Sequence, residues 1–213
     1  MTSIVDFHTH RLDATSALIS VDPRRFDPQP GLWYSVGFHP WHGVDRLTDD
    51  DYALLEQCAR HPQVLALGET GMDRLRGASL DIQDEAFVRH LRLAHALDKP
   101  VVAHCVRTAQ DLLVARHREG LDAVRLVIHG MRGNEHVAHT LLDAGCYLSY
   151  GARFNPAALH VTPIDRLLIE TDDAPEPIEA VAASVASTLG LTADELLSCV
   201  TATASCLLSH PCG

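Results

Sequence analysis

Six residues of the kinds that bind divalent metal ions are spread along the chain, and each comes just after a short apolar segment with the pattern of a β-strand. They are four histidines and two carboxylates: His8, His10, Glu69, His104, His129 and Asp172. Imidazole and carboxylate ligands without thiolate suit Zn²⁺, Mn²⁺, Fe²⁺ or Co²⁺ better than Mg²⁺, although abundance in cells can still place Mg²⁺ in a weaker site. If the strands end at a common edge, these six residues form a buried metal centre.

Each of these residues, taken alone, also has an ordinary structural explanation. His8 and His10 are two residues apart and so point to the same side of an extended chain, but a histidine pair satisfied within the core would fit this spacing as well. Glu69 ends a strongly apolar run, where an ionised carboxylate is costly unless it is paired or bound to metal. A salt bridge to Arg74 or Arg76 is the alternative. The metal interpretation is favoured because five separate strands end in such a residue.

The elements that must position these residues follow from the hydrophobic pattern. Eight short apolar segments have the character of strands: residues 4–7, 17–20, 33–37, 64–68, 101–103, 126–128, 147–149 and 167–169. Six segments have helical periodicity: residues 49–61, 81–97, 108–118, 134–144, 178–189 and 194–209. Strands that alternate with helices predict a parallel sheet covered by helices, and eight strands predict closure into a TIM-like (β/α)₈ barrel. In that fold the active site lies at the carboxyl ends of the strands.

The predicted barrel is a reduced one. Only residues 11–16 separate the first two strand candidates, and about ten residues separate the second from the third, which is too few for crossover helices of about a dozen residues. The length of 213 residues also falls below the ~250 typical of this fold. We therefore expect residues 1–213 to form a single domain in which some crossover helices are missing.

Composition excludes several classes of protein. The chain has no run of 18 apolar residues and no signal-peptide pattern, so we expect a cytoplasmic protein that does not contact a membrane. No CxxC motif occurs among the six cysteines, which predicts free or buried thiols: Cys58, Cys105, Cys146, Cys199, Cys206 and Cys212. The net charge of −11 argues against a broad binding track for duplex DNA, so a nucleic acid would have to be held locally. No obligate protein partner is indicated.

Four further residues are candidate substrate contacts. His39 and His42 follow the third strand, where a rim position favours contact with substrate. Arg107 and Arg132 follow the fifth and sixth strands and could each bind a phosphate bidentately, with a surface ion pair as the alternative. The remaining histidines are expected to be surface or packing residues on helices, with His160 in a loop: His61, His90, His95, His117, His136, His139, His160 and His210.

Six short motifs occur in order along nearly the whole chain. They are Asp6-x-His8-x-His10, Gly37-x-His39-Pro40, Gly68-Glu69-Thr70-Gly71-Met72-Asp73, Pro100-Val101-Val102-Ala103-His104, Ile128-His129-Gly130 and Glu170-Thr171-Asp172. This ordered set resembles the TatD family of metal-dependent hydrolases, within the amidohydrolase-like barrels. The resemblance implies a nuclease or phosphoesterase with two divalent ions bridged by Glu69. It assigns one ion to His8, His10 and Asp172, and the other to His104 and His129.

The chain departs from the family pattern in three places. The helix after the first strand is missing. Two motifs differ, because His129-Gly130-Met131-Arg132-Gly133 stands where the family has His-Cys-Phe-Ser-Gly, and His39-Pro40-Trp41-His42 where it has His-Pro-His. The segment after Asp172 lacks the loop with Arg and Asn found in longer relatives. These departures affect the substrate contacts more than the metal ligands.

The expected chemistry is metal-dependent hydrolysis, with Asp172 and Glu69 as catalytic residues. Two ions about 3.5 to 4 Å apart can share a hydroxide, which Asp172 would orient and whose proton it would accept. We expect a phosphodiesterase or deoxyribonuclease that acts on nucleic-acid ends or short single strands. Two alternatives stay open: hydrolysis of a small amide, ester or lactone at the same centre, and a metal-binding relative without catalysis.

Overall fold

Eight parallel strands close into a barrel in sequence order in the computed structural model, which describes residues 3–209. The strands are β1 (Asp6–Thr9), β2 (Ala17–Val21), β3 (Trp33–Val36), β4 (Val64–Asp73), β5 (Val101–Val106), β6 (Leu126–Ile128), β7 (Tyr147–Tyr150) and β8 (Leu167–Ile169). Pairing of β8 with β1, through Ile169 opposite Asp6, closes the sheet. The predicted barrel is therefore confirmed. His210 and Cys212 lie outside the described residues, and the other five cysteines are free thiols.

Seven helices are described: α1 (Asp49–Ala59), α2 (Leu80–Leu97), α3 (Ala109–Arg118), α4 (Glu135–Asp143), α5 (Pro156–His160), α6 (Ile178–Leu189) and α7 (Ala193–Leu208). The expectation that His160 lies in a loop was wrong, because this residue ends α5. The Asn155 side chain caps this helix by accepting a hydrogen bond from the Ala157 N–H, and Pro156 suits its first turn. No single helix in the described range is long and apolar enough to cross a membrane. Taken together, α6 and α7 pass that test by length and composition, but they are bent by 104°.

The barrel is reduced in the predicted way. Within the described chain, β1 and β2 are joined without a helix, and β2 and β3 are joined through one short 3₁₀ turn, Pro23–Arg25. The five later strand-to-strand connections all contain an α-helix. The predicted absence of crossover helices on either side of β2 is therefore confirmed.

Several strands run further than their apolar segments. β4 has ten residues and contains Glu69, and β5 continues through His104. The two strands stay paired over this stretch, with Gly71 opposite His104. The expectation that the ligand candidates come just after their strands was therefore wrong for His8, Glu69 and His104, which lie within strands. It holds for His10, His129 and Asp172. Backbone pairing continues although the side chains become polar, because those side chains are satisfied by one another.

Alternation of side chains along the strands places apolar residues inside the barrel and polar residues at its rim on the same inward face. Val102, Val127 and Leu168 belong to an apolar cluster that also includes Ala204 and Leu207 of α7. Side chains two positions apart on a strand share a face. The residues two positions further along these strands are the polar ones at the site: His104, His129 and Glu170.

His90 of α2 is a buried histidine that supports the loop after β3. Its Nε2 accepts the Phe38 N–H at 3.0 Å, so this nitrogen carries no proton. Its Nδ1–H therefore donates to the Ala86 carbonyl at 2.7 Å. Burial lowers the pKa of His90 from 6.5 to about 4. The neutral ring holds Phe38, next to His39, against α2.

We expect His90 to make stability depend on pH. Between pH 6.5 and about 4, the unfolded chain protonates this ring and the folded chain does not. The contribution of the neutral His90 ring to the free energy of unfolding is therefore complete above pH 6.5. It declines by up to about 3 kcal/mol as the pH falls to about 4. His90→Gln keeps an acceptor for Phe38 but does not titrate, so its unfolding free energy should fall less steeply. Urea unfolding of both proteins at about pH 7, 5.5 and 4.5 measures the difference, and parallel pH profiles would contradict this role.

Candidate metal centre

The Glu69 carboxylate lies in the middle of the predicted ligands and is only 3% exposed. Its Oε2 lies 3.3 Å from His8 Nε2 and 3.4 Å from His10 Nε2. The same two nitrogens are 3.7 and 3.5 Å from Asp172 Oδ1. His8, His10 and Asp172 therefore gather beside one oxygen of Glu69.

The other oxygen of Glu69 faces a second group of histidines. Oε1 lies 2.7 Å from His129 Nε2, 2.9 Å from His104 Nδ1 and 3.0 Å from His39 Nε2. His39, which was expected to contact substrate, thus lies against the same carboxylate as the predicted ligands. Burial lowers the pKa of His39 despite the neighbouring carboxylate. The two oxygens of Glu69 divide the cluster into two sets.

Local backbone features place Glu69 at this point. The Glu69 N–H donates to Ser20 Oγ at 3.2 Å, which ties β4 to β2 past the intervening strand β3. Gly37, after β3, approaches the β4 backbone so closely that a Cβ there would lie 2.7 Å from the Glu69 carbonyl oxygen. A larger residue at position 37 would push β3 away from β4, and with it His39.

The possible salt bridge of Glu69 to an arginine does not form. Arg74 instead pairs with Asp111, and the Arg76 guanidinium lies over the Trp41 ring, 4.6 Å from its centroid. The neighbours of the buried Glu69 carboxylate are therefore imidazoles.

Hydrogen bonds from the backbone of Asp172 and from the preceding residue fix the position of Asp172. The Asp172 N–H donates to the His8 carbonyl at 2.8 Å. The preceding residue, Thr171, donates its N–H and its Oγ1–H to Asp6 at 2.9 and 2.6 Å. Burial raises the pKa of Asp6 to about 6. Asp172 itself has a φ of 54°, a left-handed conformation that aspartate and asparagine tolerate better than most residues.

Two acidic residues that the sequence reasoning missed orient the histidine rings. Asp73 Oδ2 lies 3.3 Å from His104 Nε2 and also accepts the Trp41 Nε1–H at 2.7 Å. Glu170 Oε1 lies 3.3 Å from His129 Nδ1. Each carboxylate contacts the ring nitrogen that points away from Glu69. The other nitrogens, Nδ1 of His104 and Nε2 of His129, therefore face Glu69. Second carboxylates of this kind commonly fix the tautomer of metal-binding histidines.

Asp73 and Glu170 could have been found from the sequence. Asp73 stands four residues after Glu69, and Glu170 stands two residues before Asp172, both within motifs already singled out. Both are acidic residues beside strongly apolar strands, where a carboxylate needs a partner. Their positions close to the predicted ligands are the feature that indicates a role at the site.

The cluster has strong internal electrostatics. Burial by itself would raise the pKa of Glu69, but the charge of His129 and hydrogen bonds from His10, His104 and His129 hold it well below its usual range. Burial opposes protonation of His129, yet the carboxylates of Glu69 and Glu170 raise its pKa well above the usual value. The hydrogen bond to Glu69 similarly raises the pKa of His10. A cation bound among these groups would replace protons on the imidazoles.

The residues fit a divalent metal. Both ring nitrogens of His8 are buried and have no hydrogen-bond partner within residues 3–209. Buried polar atoms are rarely left in this state, and an unobserved ion is one reason for it. Potential ligand atoms lie within 4.8 Å of one another in several groups, among them His8–His10–Asp172, His8–Glu69–His129 and His39–Glu69–His104. The histidine and carboxylate clusters can therefore hold metal.

A cavity of about 1130 Å³ opens from this cluster over the carboxyl ends of β5 to β8, with His104, His129 and Asp172 in its wall. Arg107 and Arg132 also line it. Neither guanidinium forms an ion pair within the described part of the chain. The alternative of a surface ion pair, which the sequence left open, is therefore not observed there. Of the two candidate histidines, His42 is exposed and lies beside His39, with 4.9 Å between ring centroids.

A third arginine, Arg153, lines the same cavity and was not singled out from sequence. It follows β7 in a segment without any recognisable motif. Only the arrangement of the strands brings it beside the other two arginines.

Comparison with known proteins gives a consistent result. The sequence matches the model of the TatD related DNase family over residues 24–208. It is 29% identical over 191 residues to YabD of Bacillus subtilis, an uncharacterized metal-dependent hydrolase, with 80% of this chain and 74% of that protein covered. It is 37% identical over 153 residues to the 3'-5' ssDNA/RNA exonuclease TatD of Cronobacter turicensis, with 67% of this chain and 57% of that protein covered.

The structure also has a close counterpart in fold. A crystal structure of YJJV, a TatD homologue from Escherichia coli, superposes with a TM-score of 0.79 at 23% identity, covering 97% of this chain and 98% of that one. The family model covers most of the chain and five of the six motifs, from Gly37-x-His39-Pro40 onwards. The chain therefore belongs to the TatD related DNase family of metal-dependent hydrolases.

Proposed function

We propose that this protein is a phosphodiesterase with two divalent ions that acts on nucleic-acid ends or short single strands, and that its 213 residues work as one hydrolase domain. The observation that carries the proposal is the division of the cluster by Glu69. One carboxylate oxygen faces His8, His10 and Asp172, and the other faces His104 and His129. A carboxylate between two ligand sets suits a pair of ions. The similarity to a relative named as an exonuclease supports a nucleic-acid substrate.

The roles of the residues follow from their positions. When bound, two divalent ions would acidify a water molecule and neutralise charge on the attacking and leaving oxygens. Asp172 lies at the boundary between the cluster and the cavity, where its carboxylate can orient that water and accept its proton. Asp73 and Glu170 keep the rings of His104 and His129 turned inward. Arg107 and Arg132 are placed to hold phosphate oxygens.

Cleavage is expected to favour chain ends and single strands over intact duplex. The net charge of −11 repels an extended phosphate backbone, whereas the cavity admits a single strand. Metal-loaded protein should shorten a labelled single-stranded oligonucleotide stepwise from one end and leave closed circular duplex DNA intact.

The experiment needs three controls. Chelated protein tests the need for metal, a simple aryl phosphodiester tests the bond type, and a lactone tests the competing hydrolase. Rapid nicking of the circle with the oligonucleotide untouched would refute the preference for ends. Turnover of the lactone with no cleavage of either phosphodiester would refute the proposed function.

A further inference from the structure

Three arginines around the cavity have no acidic partner. Arg107, Arg132 and Arg153 are exposed and line the cavity, and none of their guanidinium groups forms a hydrogen bond or ion pair within residues 3–209. Several arginines outside the cavity lining behave differently, as in the pairs Arg74–Asp111, Arg92–Glu119 and Arg118–Asp84. The chain has 28 acidic and only 17 basic residues, so three unpaired arginines at one cavity need an explanation.

The three arginines form a row because they follow consecutive strands. Arg107 follows β5, Arg132 follows β6 and Arg153 follows β7, and these strands are neighbours in the barrel. Parallel neighbours end at the same rim, so all three side chains belong to one sector of the site.

The backbone under two members of the row is tied down. The Arg107 carbonyl accepts a hydrogen bond from Arg74 Nε at 3.1 Å. Next to Arg132, the Met131 N–H donates to the Ser149 carbonyl of β7 at 2.9 Å. Ordered backbone beneath long side chains reduces the entropy lost when they bind an anion.

The part of the cavity lining that follows β8 is acidic. Asp173 and Glu176 line it on the segment after β8. The lining also includes the apolar side chains of Met131, Val137 and Leu141. An anion that extends from the metal cluster is therefore attracted towards the ends of β5–β7 and repelled from the segment after β8, while a base or sugar can pack on the apolar lining residues.

We propose that Arg107, Arg132 and Arg153 form a second phosphate subsite, which makes the preferred substrate an oligonucleotide with a phosphate on the nucleotide next to the scissile bond. This inference rests on the proposed phosphodiesterase function. The scissile phosphate occupies the metal cluster, and the neighbouring phosphate binds the arginine row bidentately. Because the arginines follow β5 to β7 and the lining after β8 is acidic, a phosphate on one end of a short substrate should help and a phosphate on the other end should not.

The test compares three substrates with the metal-loaded protein. They are a dinucleoside monophosphate and the same dinucleotide bearing a terminal 5'-phosphate or a terminal 3'-phosphate. Wild-type protein should cleave one phosphorylated form with kcat/KM about tenfold or more above that of the dinucleoside, the scale of a charged hydrogen bond. This preference should appear mainly in KM, because the subsite holds substrate and transition state equally.

The variants Arg132→Gln, Arg153→Gln and their combination test the row directly. Each single variant should remove part of the preference for the phosphorylated form, and the double variant should bring the ratio of the two kcat/KM values close to one. Arg132→Lys, which keeps charge but not the bidentate geometry, should fall between wild type and Arg132→Gln. Arg118→Gln on α3 removes the same charge outside the cavity and should leave the preference unchanged.

The outcomes separate the two proposals. Cleavage of none of the three phosphodiesters by the wild-type protein would overturn the proposed function, and the subsite with it. Cleavage of all three at equal efficiency would overturn the subsite alone. Equal losses on every substrate in the Arg132 and Arg153 variants would do the same, and thermal melting of each variant shows that such losses are not due to unfolding.

Discussion

Replacing Glu69 by glutamine is expected to reduce hydrolysis by about 10³-fold or more, because several kcal/mol of charge stabilisation are lost with the metals. The variant keeps the size of the side chain but removes the negative charge between His8, His10, His104 and His129. Its amide also offers N–H donors where a carboxylate now accepts. Elemental analysis after reconstitution should find up to two divalent ions per wild-type chain and fewer in Glu69→Gln.

Glu85→Gln is the matched control for this variant. Glu85 is largely exposed on α2 and makes only a long contact with Arg89, so the same chemical change there should alter neither metal content nor turnover. No more than trace metal in reconstituted wild-type protein would refute the metal centre. Full metal content in Glu69→Gln would refute the bridging role.

Asp172→Asn should lower hydrolysis by about 10²-fold or more, the scale of lost general-base assistance. Asparagine has nearly the same size and also tolerates the left-handed backbone at φ 54°, so the fold should be preserved. The variant loses both the charge beside His8 and His10 and the ability to accept a proton. Steady-state rates on the best substrate, with metal content measured in parallel, separate weaker metal binding from weaker catalysis.

Asp165→Asn provides the comparison. Asp165 is exposed in the 3₁₀ turn that leads into β8, at the opposite end of the strand from Asp172, and should be replaceable without loss of rate. Unchanged turnover in Asp172→Asn would exclude the assigned role. A loss of thermal stability shared by both variants would show instead that β8 is sensitive to charge.

The barrel and the kinds of residue at its rim could be predicted from the amino-acid sequence. Eight apolar segments alternating with helical ones can bury their side chains in few other ways, and both patterns are local. The short connections on either side of β2 likewise excluded crossover helices there. Glu69 could be singled out because burial of an ionised carboxylate at the end of an apolar run is costly unless a cation or an ion-pair partner compensates it.

The grouping of these residues depends on tertiary contacts that the sequence pattern does not contain. The short helix α5, the extension of β4 through Glu69, and the approach of His39 to that carboxylate all depend on contacts between distant segments. The orientation of the histidine rings has the same origin, since His104 is 31 residues from Asp73 and His129 is 41 from Glu170. Arg153 joins the cavity because β7 lies beside β6 in the closed sheet. Hydrophobic periodicity records which face of an element is buried, whereas the atoms that meet across the rim are determined by closure of the barrel.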